Sequence, residues 1–141
     1  MPRWFSAKTG RQFVAITGND DLTTDQFFGT TGATSGTTYW QDGLFIRAIR
    51  QPYTVLLIDE ITRIRQDILS ALNGFLEDRE FIVPSTGERI PFAEGVVVVA
   101  CDNTNGQGDL TGQFMGAKPM DSSLLNRFKV FLEVSYPKPS V

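Results

Sequence analysis

Tyr53-Thr-Val-Leu-Leu-Ile-Asp-Glu60 is the stretch whose reading decides the fold. Its apolar and β-branched residues run without a break and then stop at two adjacent carboxylates. An unbroken run, unlike an alternating one, suits a strand covered on both faces, as in a parallel sheet. Pro52 stands where a proline is tolerated, at the opening of a strand. Asp59 and Glu60 then emerge at the carboxyl end of the strand, the edge along which open α/β sheets bind ligands. There Asp59 is suited to hold a hydrated Mg2+, and Glu60 to orient or deprotonate a water attacking a phosphate. A plain core strand ending in a solvated acidic turn would read the same way, so the rest of the chain has to decide.

The bulk composition narrows the choice. A length of 141 residues suits one domain with a substantial core. Hydrophobic content of 41% beside 21% charged residues is ordinary for a soluble globular chain. With 13 basic and 16 acidic residues the formal charge is -3, so there is no global basic field and direct nucleic-acid contact is not expected. Cys101 is the lone cysteine and there is no histidine, which argues against zinc and excludes Ser-His-Asp and Cys-His catalytic units. Cys101 closes an apolar run and is expected to be buried and inert. No stretch approaches the roughly 20 apolar residues of a membrane span, and the first residues lack a signal-peptide pattern. A cytoplasmic location without membrane contact is the expectation.

Outward from the central strand, Pro2 to Thr9 reads as a helix tail ended by Gly10, and Phe13 to Thr17 as a second buried strand. Asp21, Thr23 and Thr24 offer caps for a helical turn over Gln26 to Phe28. Thr30 to Thr38 contains only Gly, Thr, Ser and Ala and reads as a flexible loop. A phosphate-binding role for it fails, because none of the lysines (Lys8, Lys118, Lys129, Lys138) follows a glycine and no Gly-Lys-Ser/Thr occurs. Asp42 is placed to cap a helix over Gly43 to Gln51, with Leu44, Phe45, Ala48 and Ile49 on one face. Ile68, Leu69, Leu72, Phe75 and Leu76 make one stripe on a helix from Gln66 to Leu76. Phe81 to Val83 and Arg89 to Phe92 read as a projecting hairpin, Gly95 to Cys101 as a third buried strand, and Gly106 to Gly116 as a mobile loop. Asp121 or Ser122 caps a short helix reaching Arg127, and Lys129 to Val134 alternates like a last strand.

Two buried strands thus end in polar residues, Asp59-Glu60 on one and Asn103 on the next, and Arg127 follows on a short helix. A carboxylate pair, an amide able to position water and an arginine able to neutralise phosphate charge form a phosphoryl-transfer set. Singly, Asn103 also reads as a turn residue and Arg127 as a surface or ion-pair arginine. The segment Val55-Leu-Leu-Ile-Asp-Glu60 resembles an AAA+ Walker B motif, Val98-Val-Ala-Cys-Asp-Asn103-Thr104 a strand ending in the sensor 1 asparagine, and Leu124-Leu-Asn-Arg127-Phe128 the helix end that carries the arginine finger. Within AAA+ proteins, Trp40-Gln-Asp42-Gly43-Leu44, the hairpin at Phe81 to Phe92 and the loop from Asn103 to Gly116 resemble the MoxR and cobaltochelatase small-subunit group.

The resemblance covers Ala7 to Pro137 and implies an α/β fold: a three-layer αβα P-loop NTPase domain with a parallel sheet and a projecting hairpin. Residues 1–141 would be one partial AAA+ core, beginning inside the helix that follows the Walker A loop and ending before the helical lid. The activity implied is ATP hydrolysis in a ring, a hexamer, used to remodel a client or assist metal insertion, with ATP and Mg2+ as cofactors. Asp59 would hold Mg2+, Glu60 would activate water, Asn103 would position it, and Arg127 would reach a neighbouring subunit's nucleotide. Two other readings stay open: a non-hydrolysing interaction module, and a subunit of a GTP- or ATP-driven nucleic-acid enzyme. On this likeness four parallel strands are expected, with Lys129 to Val134 displaced or poorly packed.

Overall fold

The computed structural model describes residues 1–102, 121–132 and 134. Three parallel strands form its centre: β1 (Gln12–Thr17), β4 (Thr54–Asp59) and β7 (Val97–Ala100), in the order β1-β4-β7. Val14, Leu56 and Val98 stand in one row across the sheet, and Ile16, Ile58 and Ala100 in another. Both rows face the main core, in which Ile16, Leu56 and Ile58 are buried. Residues one step along point the opposite way, because side chains alternate along a strand. On that second face Val55 is buried, helix α1 (Pro2–Thr9) lies against β1 and β4, and the Arg3 guanidinium sits over the Phe13 ring. Coverage on both sides explains why the sequence of β4 runs apolar instead of alternating.

The core face carries α2 (Thr24–Phe27), α3 (Leu44–Ile49) and α4 (Gln66–Asp78). Thr23 caps α2 in a capping box, its hydroxyl accepting from the Gln26 N–H while the Gln26 side chain accepts from the Thr23 N–H. Between these helices and the two hairpins stands an aromatic cluster. Phe28 meets Phe27, Phe45, Phe75 and Phe81 with ring centroids 4.9, 5.8, 5.1 and 5.9 Å away. Along α4 the expected stripe holds, with Ile68, Leu69 and Leu72 buried and Phe75 and Leu76 half-buried. Hairpin β5 (Glu80–Ile82)–β6 (Arg89–Pro91) turns Ile82 to solvent, and it is anchored by Phe81, Val83 and Ile90 in the core.

Four expectations are corrected. Thr30 to Thr38 is not a loop but part of an antiparallel hairpin, β2 (Gly29–Thr34) with β3 (Thr37–Asp42). Ser35 and Gly36, both at positive φ, form its two-residue turn, and the β-branched threonines fill the strands. The glycine of its middle serves a ring: a Cβ on Gly32 would lie 2.5 Å from Tyr39 Cζ. Asp42 does not cap α3; it ends β3 and binds the Arg50 guanidinium at 2.7 Å, while Gly43 takes the cap position without a side-chain bond. On α3 itself Leu44 is exposed, and Ile46 is buried beside Phe45, Ala48 and Ile49. Finally, Lys129 to Val134 forms no strand among the described residues, and the parallel strands described are three instead of four. Val130, Phe131, Leu132 and Val134 remain 67–84% exposed. An alternating segment becomes a strand only where another strand offers its N–H and C=O groups, and no described strand pairs with this one. The loop expected at Gly106 to Gly116 lies outside the described residues.

Candidate functional site

Parallel register puts the ends of the strands side by side. Thr17 stands level with Asp59, and Ala100 with Ile58, so the chain leaves β1, β4 and β7 at one edge of the sheet. Asp59 is half-buried there, and its Oδ1 accepts the Glu60 N–H at 3.1 Å. Glu60 itself has φ 51 and ψ 47, a left-handed conformation that non-glycine residues adopt at a cost. That geometry ends the strand abruptly and starts the 3-10 turn Ile61–Arg63, in which Ile61 and Thr62 are buried. The Glu60 Oε2 accepts from Arg63 Nη1 at 3.0 Å, and both side chains stay well exposed to solvent.

Bonds from both neighbouring strands hold the turn. The Gly18 N–H donates to the Asp59 carbonyl at 2.7 Å from the β1 side, and the Ile61 N–H donates to the Cys101 carbonyl at 3.2 Å on the β7 side. The buried Thr62 hydroxyl donates to Asp102 Oδ1. Burial pushes the Cys101 thiol up, and the nearby Asp59 carboxylate pushes it the same way, so the thiol stays protonated at neutral pH. Asn103, the next residue along, lies outside the described residues.

Arg127 is placed elsewhere. Asp121 caps α5 (Ser122–Leu125) by accepting the Ser123 N–H, and α5 packs on α4. Asn73 of α4 donates to the Ser123 hydroxyl at 3.1 Å and accepts from Arg127 Nε at 3.0 Å, while Arg127 Nη2 binds Glu77 Oε2 at 2.5 Å. Asp59 and Glu60 are therefore brought together, and Arg127 hydrogen-bonds to α4 instead of to them. The sequence reading missed Gly18, Thr62, Arg63 and Asp102. Thr62 and Arg63 follow the acidic pair directly, so proximity alone could have flagged them; Gly18 and Asp102 become neighbours only through the register of the sheet. A separate cleft of about 620 Å³ opens beside β1, lined by Thr17, Asn19, Asp25, Gln41 and Arg47 among others, and neither Asp59 nor Glu60 lines it.

Residues 2–128 match the AAA domain of the dynein-related subfamily. The chain belongs to that family. This AAA domain is 30% identical over 136 residues to the protein NorQ of Paracoccus denitrificans, covering 96% of the chain and 47% of NorQ. It is 36% identical over 104 residues to midasin of Dictyostelium discoideum, covering 72% of the chain and 2% of midasin. It thus spans less than half the length of these relatives. A solved structure of a candidate ATPase from Cytophaga hutchinsonii superposes with a TM-score of 0.68 at 18% identity, covering 98% of this chain and 38% of that one. That likeness bears out the three-layer α/β fold of P-loop NTPases, and together the comparisons bear out the resemblance to MoxR-type AAA+ cores. No helix among the described residues is long and apolar enough to cross a membrane.

Proposed function

We propose that these 141 residues are one core unit of an AAA+ ATPase in which Asp59 and Glu60 act on a nucleotide bound by a preceding Gly-Lys-Ser/Thr loop. The observation that carries the reading is the acidic turn itself: two carboxylates at the carboxyl edge of a parallel sheet, the second in a left-handed conformation bonded in place from both neighbouring strands. Strain of this kind persists where the surroundings over-determine it, and it gathers at functional sites.

The donor set fits Mg2+. Among the described residues no cluster of three or more acidic, histidine or cysteine side chains forms a self-sufficient metal cage. Mg2+ would instead be held by one or two carboxylates together with its own waters and substrate phosphates, and would supply neutralisation of phosphate charge. Asp59 commits Oδ1 to the Glu60 N–H, which leaves Oδ2 as the oxygen for that role. Glu60 accepts a proton from the attacking water, and the Arg63 guanidinium at 3.0 Å orients its carboxylate. In the same reading Asn103 positions the water, and Arg127 leaves Glu77 to reach the nucleotide of a neighbouring subunit in a ring, a hexamer. Release gives up the partly exposed Arg127–Glu77 pair, 29% and 55%, a kind that contributes about 0.2–1 kcal/mol, and with it the Arg127 Nε bond to Asn73. The work done would be remodelling of a client protein or assistance to metal insertion.

A second reading, a non-hydrolysing interaction module, is favoured by the engagement of Arg127 within its own chain. Glu60→Gln separates the two. In a form joined to a Gly-Lys-Thr-bearing segment ahead of Pro2, the variant should bind ATP normally and lose about 100- to 10,000-fold in turnover, the usual worth of a positioned base. Undiminished turnover would reduce Glu60 to a solvated strand end.

A further inference from the structure

Gly18 and Glu60 are far apart in sequence, yet their backbones touch. A Cβ built on Gly18 would lie 2.4 Å from the Glu60 carbonyl oxygen, 2.8 Å from Ile64 Cγ1 and 3.1 Å from the Glu60 carbonyl carbon. Two of those atoms are backbone and cannot swing aside as the end of a flexible side chain can. Gly18 is absent from the residues at positive φ, so the position needs glycine for space and not for torsional freedom. The Gly18 N–H also donates to the Asp59 carbonyl at 2.7 Å, holding the peptide plane that enters Glu60. The plane that leaves Glu60 is held by the Ile61 N–H on the Cys101 carbonyl at 3.2 Å. These two planes define φ and ψ of Glu60, and hence the direction in which its carboxylate leaves the backbone.

We propose that Gly18 is a positioning residue for Glu60: the close approach of β1 clamps the left-handed turn and so sets where the carboxylate stands relative to the attacked phosphate. The proposal rests on the reading of Glu60 as the water-activating base. Any side chain at position 18 must push the Glu60–Ile61 peptide outward, because the Glu60 carbonyl lies in its way. A misplacement of about 1 Å is enough to cost about 100-fold in rate. Nucleotide binding, which depends on groups elsewhere, is left alone.

The test has two arms. In the Gly-Lys-Thr-bearing form, Gly18→Ala should lower kcat about 100-fold while KM for ATP stays within about twofold, since the loss falls on the reacting geometry and not on binding. In the 141-residue chain itself, urea unfolding of Gly18→Ala, Glu60→Gly and the double variant should be non-additive. A glycine at position 60 accepts whatever torsion the displaced peptide imposes, so Gly18→Ala should shift the midpoint less in that background. If Gly18→Ala alone does not fold, the double variant should. Unchanged kcat in Gly18→Ala beside an inactive Glu60→Gln overturns the role of Gly18 alone, as do strictly additive midpoints or a double variant that also fails to fold. Full activity in Glu60→Gln overturns the assignment of Glu60 as base, whereas the unfolding cycle still reads the clamp.

Discussion

Glu60→Gly in the 141-residue chain distinguishes a residue kept for chemistry from one kept for structure. The backbone at position 60 is left-handed, which costs an L-residue about 1–2 kcal/mol that glycine does not incur. Against that gain, glycine loses more chain entropy on folding, about 0.4–1 kcal/mol. The Arg63 ion pair is lost as well, but its side chains are 41% and 36% exposed, so solvent screening holds its worth to about 0–1 kcal/mol. The balance lies between a loss of about 1 and a gain of about 1.5 kcal/mol. Removal of this partly exposed side chain at the carboxyl edge of the sheet should therefore be nearly neutral. With a urea slope of about 1–3 kcal/mol per molar, the unfolding midpoint, followed by tryptophan fluorescence, should move by less than about 1.5 M. The same change should abolish hydrolysis in the Gly-Lys-Thr-bearing form. A loss above about 2 kcal/mol would refute the reasoning, because Glu60 would then be an anchor of the turn instead of a strained passenger.

Further outcomes follow from the same geometry. The 141-residue chain should bind Mg-ATP weakly and not turn it over, for want of backbone N–H groups and a lysine around the phosphates; micromolar affinity in calorimetry would contradict this. In the Gly-Lys-Thr-bearing form, Arg127→Ala should be inactive alone yet regain turnover when mixed with Glu60→Gln, since a shared site can take one part from each chain. Mixtures that co-assemble and stay inactive would leave Arg127 as an ion pair on α4. Phe28→Ala, at a buried hub of four ring contacts, should cost about 3–5 kcal/mol in urea unfolding, and a loss under about 1 kcal/mol would mean that the aromatic cluster is not a unit.

Local signals were read well where one residue type has one physical use. Gly10 at φ 66 ends α1, Thr23, one of the three caps on offer, opens α2, and the stripe on α4 lies on the core. Reading failed where composition had two uses. The Gly/Thr composition of Thr30 to Thr38 suits a flexible loop and a threonine-rich hairpin alike. In the hairpin Gly32 makes room for the Tyr39 ring, and Gly36 turns the chain with Ser35. Asp42 before a helix looked like a cap, and Arg50, eight residues on, claimed it.

The sequence by itself determined that β4 is a covered strand ending in Asp59-Glu60, because an unbroken apolar run followed by paired carboxylates leaves few other folds. It also carried the likeness to AAA+ cores. What only the tertiary structure decided is how that end is held: the left-handed turn at Glu60, Gly18 pressed against its carbonyl, Thr62 bound to Asp102, and Arg127 bonded to Asn73 and Glu77. It likewise decided that Lys129 to Val134, strand-like in pattern, pairs with no described strand. The physical reason is common to all of these. Periodicity and charge are properties of a segment, whereas register, close approach and strand pairing are relations between segments, and a relation exists only once the chain has brought both partners together.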